Sequence, residues 1–238
     1  MPSKDNFSII IPTFNEKENL ITLIPGLKEL YPDAPIFIVD DNSQDGTSSF
    51  IGNISQKFPQ ISLISRKTKL GRGSAVIDGL KTALLTANTD YYLELDADFS
   101  HQPSEIKRLL DKKNSGTLVI GSRYTKGSVI INWPKYRQIL SYLANIYIRT
   151  ILKIPLHDFT NGFRLYPKKA ADIIVRTNPA EKGFTTLSET AYILYRHHFK
   201  FTEVPITFIN RKLGKTKISP QEYLKFLASI IRIRKNYS

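Results

Sequence analysis

The chain has no cysteine among its 238 residues, so disulfides and thiolate metal sites play no part in it. That composition fits a reducing compartment. Long hydrophobic runs are missing too: no stretch of about 18 uninterrupted apolar residues occurs anywhere. The opening MPSKDNFSIIIPTFNE carries only a short apolar run before Thr13 and Asn15, too short for a signal peptide or a membrane span. A soluble or peripheral protein that does not cross a membrane is expected. No Gly- or Ser-rich linker and no internal repeat divides the chain, which predicts a single domain over residues 1–238. A complete phosphate loop is also absent. GRGSA at 71–75 holds only a fragment of one and reads as a tight turn into a helix.

What is present is a folded protein's share of apolar residues, 41%, with 11% aromatics. The net charge of +13 is unevenly placed. Residues 1–110 hold 11 Lys and Arg against 14 Asp and Glu, a balance of −3; residues 111–238 hold 23 against 7, a balance of +16. Such a basic half suits a polyanionic partner: nucleic acid, an anionic membrane surface or a phosphorylated substrate.

Over the first 120 residues, short apolar runs alternate with segments of helical length. The runs are Phe7–Ile11, Ile36–Val39, Ile61–Ile64, Tyr91–Leu95 and Leu118–Ile120; helices are predicted over Glu16–Leu30, Gly46–Phe58, Gly71–Ala87 and Pro103–Lys112. That alternation implies an α/β fold with a mostly parallel sheet covered on both faces. Asn15 is placed to cap the first helix, Asp45 the second, and Pro103 suits a first turn. In the second half, helices are predicted over Trp133–Lys153, Lys168–Arg176, Leu187–His198 and Ser219–Lys235, with a compact segment His157–Tyr166 and a strand Phe201–Phe208.

Four polar clusters fall at the carboxyl ends of the predicted parallel strands, the edge where open α/β sheets bind ligands. They are Pro12–Glu16, Asp40–Ser43, Arg66–Gly73 and Asp96–His101. Asp96 and Asp98 form an Asp-x-Asp pair, with Glu94 one strand repeat earlier. A hard divalent cation with oxygen ligands would relieve their repulsion, and Mg²⁺ or Mn²⁺ usually arrives with substrate phosphates. A helix cap with a solvated turn carboxylate is the plainer alternative. Asp40-Asp41 could likewise accept hydrogen bonds from a base or ribose, or cap a helix. His101 reads as a structural hydrogen bonder with no evident partner.

PTFNE, VDDNSQDGT, GRGSA, DADFSHQP and GSRY, in that order, resemble an inverting family 2 glycosyltransferase of the GT-A fold, a Rossmann-like three-layer α/β/α sandwich. WPKYRQILSYLAN, DFTNGFRLY, KGF…SET and EVPITFINRKLGKTKIS narrow the resemblance to the dolichol-phosphate mannose synthase group, from about Ile9 to Ser219. The resemblance implies transfer of mannose from GDP-mannose to a polyprenyl phosphate such as dolichyl phosphate. It implies that residues 1–120 form the nucleotide-binding half and 121–218 the acceptor side, followed by a basic amphipathic helix over 219–238. Carried over by motif, Pro12, Phe14, Glu16, Val39 and Asp41 hold the guanosine, and Asp96, Ala97 and Asp98 meet the diphosphate. Asp96, Asp98 and Ser100 lie at the metal, Mg²⁺ or Mn²⁺. Arg211 and Lys217 close over the donor phosphates. Arg123 and Arg137 bind the acceptor phosphate, or the donor phosphates near the sugar, and with Asp98 make up the catalytic set. Phe14 stands where the family often has Tyr, and Ser100 where relatives often carry Gln.

A lipid acceptor requires access to a membrane, on the cytoplasmic side for an enzyme of this group. Two helices offer an amphipathic basic face: Pro220–Lys235 and Trp133–Lys153. Each could equally pack on the domain's own core, and a separate membrane-anchoring subunit could serve instead. Two other readings compete: the same fold with UDP-glucose or another UDP-sugar as donor, and a basic nucleic-acid-binding module. The latter gives no reason for carboxylates at the binding edge of the sheet, so no nucleic-acid partner is expected.

Overall fold

The computed structural model describes residues 6–210 and 220–237. Arg211 and Lys217 lie outside the described residues. Four strands, β1 (Phe7–Thr13), β2 (Ile36–Asp40), β3 (Ile61–Ser65) and β4 (Tyr91–Glu94), pair in parallel. They are connected by helices α1 (Lys17–Leu30), α2 (Thr47–Lys57) and α3 (Arg72–Thr86). A 3-10 turn at Pro103–Glu105 and the short α4 (Ile106–Leu110) lead to β5 (Thr117–Ser122). Then follow β6 (Val129–Ile131), α5 (Lys135–Leu152), β7 (Arg164–Pro167), α6 (Lys168–Thr177), α7 (Thr186–Arg196), β8 (Lys200–Pro205), β9 (Thr207–Ile209) and α8 (Pro220–Asn236).

Seven strands form one sheet in the order β3-β2-β1-β4-β7-β5-β8, and β6 and β9 form a separate parallel pair. Both faces of the large sheet are covered, which explains why its strands read as continuous apolar runs. Alternate residues divide between two cores by the two-residue period of a strand. Ile10, Phe37, Tyr92, Leu118, Ile120 and Tyr166 pack beneath α3, α5, α6, α7 and α8. Ile9, Ile11, Ile36, Ile38, Leu93, Val119 and Leu165 face α1, α2 and α4. This is the expected three-layer α/β/α sandwich.

Three expectations are corrected. The predicted strand Phe201–Phe208 breaks between β8 and β9, because β8 pairs with β5 while β9 leaves the sheet to pair with β6. The compact segment after His157 ends in β7, which runs antiparallel between β4 and β5. Asn15 does not cap α1: its left-handed backbone (φ 57°) turns its amide oxygen to the Gln44 N–H instead. Asp45 serves both helices, one carboxylate oxygen accepting the Thr47 N–H (3.0 Å) and the other the Lys17 N–H (3.1 Å). Burial alone would raise the Asp45 pKa, but these bonds and the Thr47 hydroxyl lower it below the ordinary value.

Candidate active site

The topology brings seven loops to one edge. Strands β1 to β4 end there, β5 and β8 run parallel to them, and antiparallel β7 begins there. Glu94 at the end of β4 therefore stands opposite Arg164 at the start of β7. All four polar clusters meet the segments after Ser122 and before Arg164 at this edge.

The acidic strand end has a positive partner within the chain. Arg72, the first residue of α3, donates from Nε (2.9 Å) and Nη2 (2.6 Å) to Asp96 Oδ1, and from Nη1 (2.5 Å) to Glu94 Oε1. Burial would lower the Arg72 pKa, but the Asp96 and Glu94 charges outweigh it and raise it above the ordinary arginine value. Glu94 is buried and also accepts from the Tyr166 hydroxyl (2.7 Å), whose own pKa burial and the Glu94 charge push up. Gly162 makes room for this arrangement: a Cβ there would overlap the Arg72 guanidinium. Ala97 is buried. Asp98 is half-buried; its Oδ1 accepts the Ser100 N–H (3.0 Å) and its second oxygen has no hydrogen bond among the described residues. Ser100 is buried two residues beyond.

On the opposite side of the edge, Pro12 and Val39 are buried register partners of β1 and β2. Phe14 is half-buried, with the Lys69 ammonium 3.4 Å from its ring centroid, a cation–π contact. Glu16 accepts from the Asn19 amide (2.6 Å). Asp41 is buried and fixes the loop after β3. It accepts the Leu70 (2.8 Å) and Gly71 (2.7 Å) N–H groups and pairs with Arg66 (3.0 Å). Asp40 accepts from the hydroxyls of Ser43 and Ser48.

Arg123, just after β5, is buried in an aromatic box 5.4 Å from the Tyr124 ring centroid and 5.3 Å from those of Trp133 and Phe208. Its Nε (2.8 Å) and Nη2 (2.7 Å) fork onto Asp158, and Nη2 also reaches Thr160 Oγ1 (2.6 Å). Nη1 has no hydrogen bond among the described residues. Burial would raise the Asp158 pKa, but the Arg123 charge and hydrogen bonds hold it below the ordinary carboxylate range. Glu203 supports the loop from below, accepting the His157 (2.9 Å) and Asp158 (3.0 Å) N–H groups. From α5, Asn145 Oδ1 accepts the Phe159 N–H (2.7 Å). Arg137, in the first turn of α5, is half-buried.

His101 joins the two sides. Its ring Nδ1 accepts the Asp96 N–H (3.3 Å), leaving Nε2 to donate to Asn161 Oδ1 (2.6 Å), and Asn161 donates in turn to the Gly121 carbonyl. The ring stacks on Phe163 with centroids 5.1 Å apart. His101 is thus the structural hydrogen bonder expected, and Asn161 is the partner that sequence could not supply.

No group of three or more His, Asp or Glu among the described residues could hold a metal ion by itself. The Asp98 carboxylate and its neighbours nonetheless fit a hard divalent ion shared with a diphosphate, since phosphate oxygens complete such a ligand set. Three functional residues escaped sequence reading. Arg72 lay inside the GRGSA turn, and its charge was its only signal. Asp158 and Asn161 lay inside DFTNGFR, quoted for its pattern without roles. All three act across gaps of 22 to 60 residues in sequence.

Residues 8–174 match the family described as Glycosyl transferase family 2. A polyprenol monophosphomannose synthase of Mycolicibacterium smegmatis is 37% identical over 213 residues, 89% of this chain and 80% of that protein. An undecaprenyl-phosphate mannosyltransferase of Micrococcus luteus is 36% identical over 210 residues, 88% of this chain and 86% of that protein. Among solved structures, glucosyl-3-phosphoglycerate synthase of Mycobacterium tuberculosis with Mn²⁺ and UDP-glucose superposes with a TM-score of 0.66. It covers 98% of this chain and 79% of that one at 15% identity, a likeness of fold alone. The architecture is that of the GT-A fold.

Proposed function

The chain belongs to glycosyl transferase family 2, and from that membership we propose that it transfers mannose from GDP-mannose to the phosphate of a polyprenol. The observation that carries the reading is the 36–37% identity, over nearly nine-tenths of the chain, to two enzymes named for mannose and polyprenyl phosphates. The arrangement of the site supports it. Residues 1–120 form the donor side, with Pro12, Phe14, Glu16, Val39 and Asp41 around the guanosine and Asp96 and Ala97 at the diphosphate. Arg211 and Lys217 are assigned to the donor phosphates. Residues 121–218 form the acceptor side, where Arg123 and Arg137 receive the lipid phosphate.

An oxygen of the acceptor phosphate forms the new bond to the anomeric carbon from the face opposite the donor diphosphate. The bond from that carbon to the diphosphate oxygen breaks, and GDP leaves with the electron pair, so the configuration inverts. The acceptor phosphate is anionic near neutral pH and needs no base, in keeping with a His101 engaged at both nitrogens. Arg123, fixed by Asp158, orients the acceptor with its remaining donor. Asp96, held by Arg72, and Asp98 would hold the Mg²⁺ or Mn²⁺ with Ser100 beside them. When bound, that ion stabilises the negative charge developing on the leaving diphosphate.

The enzyme works at the cytoplasmic face of a membrane, reached by its own surface or through a membrane-anchoring subunit. No helix among the described residues is long and apolar enough to cross a membrane. The test is product analysis after mixing the protein with GDP-mannose, Mg²⁺ or Mn²⁺ and a polyprenyl phosphate, with UDP-glucose in a parallel reaction. Mannosyl phosphoryl polyprenol is expected. Reaction with UDP-glucose alone would overturn the donor, and transfer only to a soluble sugar would overturn the acceptor. Asp98→Ala is expected to abolish metal-dependent transfer, read in the same assay.

A further inference from the structure

Arg72 is built into the acidic edge rather than laid upon it. Its guanidinium fills the notch that Gly162 leaves open. Glu94 holds it from the core side, with Oε1 accepting from Nη1 and Oε2 from the Tyr166 hydroxyl. Both oxygens of this buried carboxylate are thus engaged within the chain. On the open side, Asp96 Oδ1 takes hydrogen bonds from both Nε and Nη2. The Arg72 side chain is 13% exposed and that of Asp96 25%, so the pair forms the floor of the edge. The backbone fixes the arginine as well. Arg72 opens α3, and the next two N–H groups, of Gly73 (2.9 Å) and Ser74 (3.3 Å), donate to the Lys182 carbonyl.

Two consequences follow for a divalent ion. Glu94 is committed to Arg72 and Tyr166, and Asp96 Oδ1 to Arg72, while Asp98 keeps an oxygen with no hydrogen bond among the described residues. So small a set of protein oxygens is a poor site for a hard cation, which needs about six. The guanidinium also repels it: a positive charge about 6 Å from a divalent ion weakens binding about tenfold even in the dielectric of water. A diphosphate reverses both effects. It brings further oxygens, and its negative charge is attracted by the same arginine.

We propose that Arg72 is a resident counter-ion that keeps a divalent metal off these carboxylates until a nucleoside diphosphate arrives, so that ion and donor bind as a unit. This rests on the nucleotide-sugar reading above and adds the order of binding at that site. Arg72 is a positioning residue here: it acts on the metal through Asp96 and Glu94.

Mn²⁺ is titrated into the metal-free full chain and the unbound ion is read by electron paramagnetic resonance, with no sugar donor or polyprenol present. Weak binding to the wild type is expected, tightened about tenfold or more by GDP. Arg72→Met should bind Mn²⁺ about tenfold more tightly than the wild type without nucleotide, and should lose most of the enhancement by GDP. Arg72→Gln removes the charge but keeps a donor for Glu94 and Asp96; it should show the same gain if the methionine variant does not fold. Arg72→Lys, which restores the charge, should return the weak binding. A gain in affinity separates this role from a merely structural one, since a loosened fold scatters ligands and weakens binding. Wild-type protein that binds Mn²⁺ equally well with and without GDP or UDP would overturn the proposal. So would an unchanged nucleotide-free affinity in a folded Arg72→Met or Arg72→Gln protein. Tightening by UDP and not by GDP would overturn the GDP-mannose reading instead, and would leave the role of Arg72 standing.

Discussion

Removing the Arg72 guanidinium would leave Glu94 and Asp96 facing each other with their shared cation gone. Breaking a buried pair from one side costs more than the pair itself contributes, because the remaining charge stays desolvated. Arg72→Met should therefore lower the unfolding free energy by about 3 kcal/mol, toward the lower end of the usual range because Asp96 keeps contact with water. Urea unfolding measures it. Asp158 gives a prediction with a defined pH sign. Its pKa is depressed in the folded protein, so its contribution is present above the ordinary carboxylate value of 3.8 and is lost as pH falls through the lower folded value. Asp158→Asn should destabilise the protein at neutral pH and flatten the acid limb of its stability profile, followed by unfolding from pH 7 to pH 2. At this scale sequence showed which side chains are ionisable, but not which pairs meet.

Helices and strands were largely legible, since each carries its own period. The five runs of the first half became strands within two residues of their expected bounds. β7 was not legible. Arg164, at its first position, looks like a loop residue, yet its guanidinium is wholly buried and satisfied by three carbonyls and the Thr190 hydroxyl. Such satisfaction is a tertiary property. The α8 segment posed the opposite problem: its amphipathic pattern fits a membrane or a core equally well, and packing against α5 and α7 decided for the core. Tyr237→Phe tests that docking. It removes one hydrogen bond to Glu189, which keeps the Ala180 and Glu181 N–H groups. A loss of about 1 kcal/mol is expected, a fall of about 2–4 °C in the thermal midpoint.

For the whole molecule, the acidic edge of the first half and the basic surface of the second meet across one sheet. Because Arg72 already bridges Glu94 and Asp96, the fold is expected to hold that edge together without a metal. Chelation with EDTA should stop sugar transfer while leaving the thermal midpoint unchanged, since an ion bound only with the donor adds nothing to the donor-free fold. Transfer is checked with GDP-mannose, and the midpoint by circular dichroism. A large fall in the midpoint on chelation would mean that the ion is structural.

Sequence by itself determined the α/β alternation, the edge on which polar clusters collect, and the motif order that marks the family. These are local properties, written in strand and helix periods and in short motifs. Tertiary structure decided which cation sits between the carboxylates, which helix keeps its apolar face exposed, and that Asp158 pairs with Arg123. Each of those depends on residues far apart in the chain. Charge balance and burial are settled between neighbours in space, which no single stretch of sequence contains.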